Sequence, residues 1–383
     1  MLAIGPSTVM TPEEAIAHGM VLVSGDRILA VGEAGRVRIP PGCETLEPRK
    51  GSTIVPGFID LQVNGARGID LTATPERILE VASALPFHGV TSFLPTFISS
   101  DEATIERALE SLRGRASESD DVAALPLGLH LEGPYLHPEK KGAHDDESFL
   151  VPEEDPSPSW LEAPEIRMVT LAPELPGALE MIRQLASLGV VVAAGHSRAT
   201  LEEAHRAFAA GVRCGTHLFN AMSGLHHRDP GLAAALLMTD GILTGLIADG
   251  VHVHPGVVVL ALRLKTPREL FLVSDAVAAA GMQKGRCTVG GEDVIVGERS
   301  VRLPDGTLAG SALFLDTGLR NLVSWTGRSL LDLLPCVTTT PATLLGIDRG
   351  RLAKGCPADL TLLDPDLAVT GCVVRGRVAF WRK

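Results

Sequence analysis

Four residues of metal-binding or proton-transferring type stand at the ends of short apolar runs. Glu132, His196 and Asp275 each follow such a run, and His217 ends one. If the runs are parallel strands of one closed sheet, the four residues share the rim at the carboxyl ends of the strands, where active sites are built. Taken singly they have simpler explanations, such as Asp275 being only a helix N-cap. Their common placement on one rim favours a joint role.

The residue types on this rim indicate hydrolytic metal chemistry. One carboxylate and two imidazoles form a ligand set that leaves a coordination position for water, so Glu132, His196 and His217 are the candidate metal ligands. A metal held there would lower the pKa of a bound water to about 7 and polarise a carbonyl group. Asp275 is the candidate general base for that water and general acid for a leaving amine.

The elements that would position these residues are read from the alternation of apolar and amphipathic stretches. From residue 57 onwards, short apolar runs alternate with helical patterns, which predicts an α/β fold with a (β/α)₈ TIM barrel. Both chain ends read as short strands. We therefore expect a small β-sandwich domain from residues 1–54 plus 350–383, beside a metal-dependent barrel hydrolase domain at 55–349. The predicted barrel strands are 57–62, 90–94, 125–131, 166–171, 190–195, 213–217, 242–248 and 270–274.

Composition excludes several other classes of function. The net charge is -12 and no long Lys/Arg run occurs, so a nucleic-acid partner is not expected. No apolar run has the length of a membrane span, and the N-terminus lacks the pattern of a signal peptide. The six cysteines form no C-x-x-C pair, which fits a reducing compartment. We expect a cytoplasmic protein without membrane association.

Two loops hold further candidates. Residues 132–165 form a long stretch between strands, as lids and binding loops do, and His144 within it could donate to an oxyanion. The turn SGLHHRDP (223–230) contains His227 and Arg228. Arg228 is suited to phosphate, but an exposed basic turn is an equal alternative.

The motifs also carry a resemblance to a known family, the N-acetylglucosamine-6-phosphate deacetylases of the amidohydrolase superfamily. It implies the same metal ligands, with Asp275 and His144 as the catalytic pair at the scissile carbonyl. It also implies that Asn220, Ala221, Arg228 and His252 bind the sugar phosphate, and that the enzyme is a homodimer. In chain order the motifs are PGFIDLQVNG (56–65), HLEGPY (130–135), KGAH (141–144), AGHS (194–197), THLFNAM (216–222), IADGVHV (247–253), VSDA (273–276) and AGS (309–311).

One departure from the wider superfamily bears on the metal. Many amidohydrolases carry H-x-H on the first barrel strand and hold a second ion there, whereas this chain has Gln62 and Asn64. Neutral amides are weak ligands for transition metals. We therefore expect one divalent metal per chain, with Zn²⁺ favoured and Fe²⁺, Co²⁺ or Mn²⁺ left open.

The resemblance implies a metal-dependent deacetylase that hydrolyses N-acetylglucosamine 6-phosphate to glucosamine 6-phosphate and acetate. In that reaction activated water attacks the acetamide carbonyl and an aspartate moves the proton. The alternative substrates are N-acetylgalactosamine 6-phosphate or another N-acyl amino-sugar phosphate. A metal-free barrel acting as a binding protein is a third reading, disfavoured because all four rim residues are present. Whether a partner subunit completes the phosphate site stays open.

Overall fold

A ring of parallel strands forms the centre of the fold. The computed structural model describes residues 1–11, 13–114, 122–289, 292–297 and 300–382. Eight strands follow one another around the ring in chain order, each hydrogen-bonded to the next, so the predicted barrel is confirmed. They are Phe58–Val63, Val90–Ile98, Leu129–Glu132, Ile166–Leu171, Val191–Ala194, Val212–Gly215, Leu243–Leu246 and Leu270–Leu272.

The seam between the last and first strands decides where Asp275 lies. The Asp275 amide donates to the Gln62 carbonyl at 3.0 Å, and the Asn64 amide donates to the Ala276 carbonyl at 2.7 Å. A bridge between Val63 and Ala276 continues the parallel pairing. The contacts that close the barrel therefore bring the end of the chain's last barrel strand against the first.

The helices cover the outside of the ring and follow the predicted pattern. The helix Leu201–Ala210 begins with a capping box between Thr200 and Glu203 and ends at Gly211, as predicted from its stop signal. The helices of the described residues are Ile78–Ala84, Glu102–Arg113, Ala178–Ser187, Leu201–Ala210, Gly231–Met238, Pro255–Leu264, Leu315–Thr326, Leu330–Leu333 and Thr339–Leu345, with 3₁₀ turns at Pro75–Arg77, Leu85–His88, Pro138–Lys140, Asp146–Ser148 and Leu334–Val337. None of them is both long and apolar enough to cross a membrane.

Both chain ends meet in a separate, mostly antiparallel sheet, as expected from the predicted fold class. Its N-terminal and C-terminal parts join where Thr53–Pro56 pairs antiparallel with Leu360–Leu363. The sheet rests on the barrel through the Thr361 hydroxyl, which donates to the Gly89 carbonyl at 2.7 Å. Its strands are Leu2–Met10, Ala15–Ser24, Arg27–Glu33, Glu44–Leu46, Thr53–Pro56, Leu360–Leu363, Val369–Val374 and Arg377–Trp381.

Two features differ from the sequence prediction. The run 125–131 is two strands, Leu125–Pro126 and Leu129–Glu132, because Gly128 between them has a φ of 135° that breaks the extended backbone. A three-stranded antiparallel flap was not predicted, and it extends beside the barrel mouth. Its strands are Gly285–Val289, Glu292–Val296 and Val301–Arg302. A further short pair joins Gly65–Ala66 to Ile69–Asp70.

Candidate active site

The four predicted rim residues lie at or just beyond the ends of barrel strands, and three of them lie in sharp turns of the backbone. Glu132 is the last residue of its strand, while His196, His217 and Asp275 lie two or three residues beyond theirs. These last three have φ values of 47°, 24° and 49°. Non-glycine residues rarely adopt this left-handed conformation, and such strain concentrates at functional sites. The backbone thus turns at each of these residues to direct its side chain over the barrel mouth.

Three of these side chains converge on one point. His217 Nε2 lies 3.0 Å from Glu132 Oε1 and 3.0 Å from His196 Nε2. The third side of the triangle, from His196 Nε2 to Glu132 Oε1, is 3.3 Å. All three residues are buried, and they form a candidate metal-binding group.

The chemistry of this triangle fits a cation. His196 Nδ1 donates to the Lys140 carbonyl at 2.7 Å, so its Nε2 carries a lone pair, and burial lowers its pKa to about 4. Burial would raise the pKa of Glu132, but the neighbouring histidines lower it well below its usual range. Three lone pairs held this close repel one another, and positive charge between them offsets that repulsion. A divalent metal would supply such charge, and two imidazoles with one carboxylate are ligands that zinc prefers.

The two amides that replace the superfamily's first-strand histidines serve the carboxylates. Gln62 Nε2 donates to Glu132 Oε1 at 2.9 Å, and the Thr216 hydroxyl donates to Gln62 Oε1 at 2.7 Å. Asn64 Nδ2 donates to Asp275 Oδ1 at 2.8 Å. Because both NH₂ groups face carboxylates, the amides orient Glu132 and Asp275 instead of offering a second ligand set.

Asp275 is a buried carboxyl group with a raised pKa. Burial and, second to it, the negative charge of Glu132 raise its pKa from 3.8 to about 6. General acid-base catalysis is most effective when the pKa lies near the working pH. The Oδ1 atom of neighbouring Asn64 is buried and has no hydrogen-bond partner among the described residues, so it offers an acceptor beside Asp275.

The loop that follows Glu132 is hydrogen-bonded to His196 of the candidate metal-binding group. The His137 amide donates to the His196 carbonyl at 2.9 Å, in addition to the contact of His196 with Lys140. His144, in the same loop, is buried with its Nε2 atom 3.7 Å from Glu132 Oε2. The loop 132–165 therefore forms one wall of the site.

These groups face a cavity of about 470 Å³ at the barrel mouth, a size typical of small-ligand sites. The lining includes the predicted His144, Asn220, Ala221 and His252. His252 Nδ1 contacts Asp249 Oδ2 at 2.7 Å, and this buried carboxylate orients the ring.

The structure does not bring the other two predicted residues to this cavity. His227 and Arg228 are exposed in their turn, with Arg228 Nη1 2.8 Å from His227 Nε2. Neither lines the cavity.

Two basic residues and a serine at the site were not predicted from the sequence. Lys140 and Arg302 line the cavity, one from the loop after Glu132 and the other from the unpredicted flap. Ser99 follows the strand Val90–Ile98 on the catalytic rim and contacts His144. The rule that selected Glu132 and His196, a polar residue after a barrel strand, also selects Ser99, whereas no sequence signal placed the flap.

Comparison with known proteins defines the class. The Amidohydrolase family model matches residues 53–379, so this chain belongs to the amidohydrolase family, whose members are hydrolases that use a divalent metal. Over its full length the chain is 36% identical to the N-acetylglucosamine-6-phosphate deacetylase of Bacillus subtilis (strain 168), of which it covers 98%. The family resemblance derived from the motifs is confirmed.

Two further relatives bear on the substrate. The N-acetylgalactosamine-6-phosphate deacetylase of Escherichia coli O157:H7 is 36% identical, with 92% of this chain and 95% of that protein covered. A solved structure of an aspartate-to-alanine mutant of the Mycobacterium smegmatis N-acetyl-D-glucosamine-6-phosphate deacetylase is a complex with N-acetyl-D-glucosamine-6-phosphate. It matches with a TM-score of 0.88 at 33% identity, and the match covers 99% of this chain and 98% of that one.

A buried carboxyl group below the site predicts a pH-dependent stability. Asp60 is 1% exposed, and burial raises its pKa from 3.8 to about 7. The folded state therefore binds an extra proton between these pH values, so stability from this group is present below pH 4 and is lost as the pH rises towards 7. We expect Asp60→Asn to gain free energy of unfolding relative to wild type between pH 4 and pH 8, by on the order of 4 kcal/mol.

Urea unfolding of both proteins across that range measures the difference. Asp60 Oδ1 accepts hydrogen bonds from the backbone amides of Gln62 and Ser274. An asparagine side-chain oxygen can accept the same two bonds. A difference between variant and wild type that does not change with pH would contradict the assignment.

Proposed function

We propose that this chain hydrolyses the acetamide of N-acetylglucosamine 6-phosphate to glucosamine 6-phosphate and acetate. The observation that carries the proposal is the placement of Asp275 beside the triangle of Glu132, His196 and His217, at the mouth of a ligand-sized cavity. A metal site with a proton carrier next to it is the machinery for attack of water on an amide. The deacetylase relatives supply the identity of the amide.

One divalent metal would be held by Glu132, His196 and His217. Zinc is the ion we expect, because two imidazoles and a carboxylate suit it, although Fe²⁺, Co²⁺ and Mn²⁺ accept similar ligands. When bound, the metal polarises the carbonyl and lowers the pKa of water. A single ion is expected because Gln62 and Asn64 use their NH₂ groups on carboxylates.

Asp275 is proposed to move the proton in both directions. Its carboxylate takes a proton from the attacking water and returns it to the departing nitrogen. Asn64 fixes one carboxylate oxygen through its hydrogen bond, which leaves the other oxygen for the proton. His144 faces the carbonyl and donates a hydrogen bond to the developing oxyanion.

The sugar phosphate is proposed to lie between the barrel rim and the flap. Asn220, Ala221 and His252 line the cavity where the sugar would bind, and Lys140 and Arg302 supply positive charge within the same cavity. Phosphate recognition by such cations is strong because the bonds are charge-assisted.

The residues His227 and Arg228 are proposed to serve the phosphate across a homodimer interface. Their exposure away from the cavity of their own chain supports this arrangement. The loop that carries them also presents Leu225, which is 60% exposed, as an apolar contact for a second copy.

We also propose a cytoplasmic location and a division of the chain into two domains. A cytoplasmic location is supported by six free cysteines, which suit a reducing compartment. We place the small domain at 1–54 plus 350–383 and the barrel domain at 55–349, because the strands of the small sheet come from the two ends of the chain. The strand Thr53–Pro56 of that sheet extends two residues past the bound at 54.

The function is tested by acetate release from three substrates. The metal-loaded protein is assayed with N-acetylglucosamine 6-phosphate, its galactosamine epimer and unphosphorylated N-acetylglucosamine. We expect the highest kcat/KM with the first and a loss of at least about 100-fold without phosphate, since charge-assisted hydrogen bonds contribute about 1.5–3 kcal/mol each. Faster turnover of the epimer would support the alternative substrate, and no acetate from any of the three would refute the proposal.

The role of Asp275 is tested by Asp275→Asn. The substituted oxygen can still accept from Asn64, so fold and metal content are expected to persist while kcat falls by about 10²–10⁴-fold. Asp101→Asn is the matched control. Asp101 also follows a rim strand, but it caps the helix Glu102–Arg113, and asparagine caps equally well. Retention of substantial turnover in Asp275→Asn would refute the role.

Metal binding is tested by elemental analysis of purified variants. Wild type is expected to hold about one equivalent per chain, and Glu132→Gln to lose most of it because the charged ligand is gone. Glu139→Gln, which changes a neighbouring carboxylate paired with Arg198, is expected to keep the wild-type content. Two equivalents in wild type, or full content in Glu132→Gln, would contradict the assignment.

A further inference from the structure

His144 is held from behind by Ser99, a residue that the family resemblance did not include. The Ser99 backbone amide donates to His144 Nδ1 at 3.3 Å, and the Ser99 hydroxyl lies 3.0 Å from the same nitrogen. Ser99 is 7% exposed and His144 is 6% exposed. Both contacts are therefore shielded from competing water.

The backbone contact settles where the imidazole proton is. An amide N–H can only donate, so His144 Nδ1 must accept and cannot carry a proton of its own. In the neutral ring the proton is then on Nε2. The Ser99 hydroxyl has one hydrogen and two acceptors within reach, His144 Nδ1 at 3.0 Å and the Glu132 carbonyl at 3.5 Å. Because the amide leaves Nδ1 unprotonated, the shorter contact is a hydrogen bond only if the hydroxyl donates to Nδ1.

His196, the adjacent ring, has the opposite arrangement. Its Nδ1 faces a carbonyl, that of Lys140, so that nitrogen carries the proton and Nε2 carries the lone pair. The two ring centroids are 4.6 Å apart. The Lys140 carbonyl thus leaves His196 Nε2 with a lone pair that suits a metal ligand. The Ser99 amide leaves His144 Nε2 with a proton that suits a hydrogen-bond donor.

The Ser99 hydroxyl occupies space that the absence of a side chain at Gly133 leaves open. A Cβ atom added to Gly133 would lie 2.2 Å from Ser99 Oγ, and Gly133 has a φ of 92°. A side chain at 133 would displace the hydroxyl, so the glycine after Glu132 makes room for the contact between Ser99 and His144. The contact between Ser99 and His144 therefore depends on the glycine that follows Glu132.

We propose that Ser99 is a positioning residue that holds His144 as the Nε2–H tautomer, aimed into the cavity as the hydrogen-bond donor to the acetamide carbonyl oxygen. This inference rests on the proposed deacetylase function. The other tautomer would direct a lone pair at an oxygen that gains negative charge during attack, which raises the barrier where a donor lowers it.

A double-mutant cycle tests whether Ser99 acts through His144. Ser99→Ala is expected to lower kcat by about 3- to 10-fold, the range for one uncharged hydrogen bond, with KM changed less than about twofold. Ser100→Ala is the matched control, because its hydroxyl donates to the Ile98 carbonyl. In a His144→Gln background, Ser99→Ala is expected to have no effect, since glutamine reproduces Nε2 but has no nitrogen at the Nδ1 position. The same loss in both backgrounds would overturn the proposal.

The tautomer is measured directly in the wild-type protein. In the zinc-loaded chain with ¹⁵N-labelled histidine, the His144 resonances, assigned by their loss in His144→Gln, are expected to show a proton on Nε2 and none on Nδ1. A proton on Nδ1 would overturn the proposal without any variant. This readout needs no turnover, so its failure is distinct from a failure of the deacetylase function, which wild type would show as absence of acetate release.

Discussion

The main physical constraint at the mouth of the barrel is the mutual repulsion of three lone-pair donors that the fold holds close together. Glu132 Oε1, His196 Nε2 and His217 Nε2 are held 3.0–3.3 Å apart in a buried site. When all three atoms offer lone pairs, positive charge at the centre stabilises such an arrangement. The strained turns at the two histidines and the hydrogen bond from Gln62 to Glu132 keep the three donors together, and they therefore favour binding of a divalent cation.

The rest of the site follows from how each side chain around this cluster is supported. The barrel seam places Asp275 against the first strand, where Asn64 holds it. Backbone groups orient the rings: the Lys140 carbonyl faces His196, and the Ser99 amide faces His144. Since a carbonyl accepts and an amide donates, chemically identical side chains acquire different roles from the backbone beside them. The arrangement of the candidate site depends on these supporting contacts as much as on the residues that line the cavity.

The sequence was sufficient to predict the barrel, its eight strands and the central cluster. Apolar runs alternating with helices define the strand order, and the rim rule selects Glu132, His196 and Asp275 without knowledge of the fold's details. It did not predict Arg302, because the flap that carries it reaches the cavity only through tertiary packing. It likewise did not predict that Arg228 would lie away from its own cavity, because proximity to THLFNAM in sequence does not determine how the turn is directed.

The single metal site at the triangle is tested by an anomalous difference map from a crystal of the zinc-loaded chain. We expect one zinc peak, at about 2.0–2.2 Å from a Glu132 carboxylate oxygen and from the Nε2 atoms of His196 and His217. A second peak beside Gln62 and Asn64 would contradict the single-metal site. Absence of zinc from the triangle would contradict metal binding by these three residues.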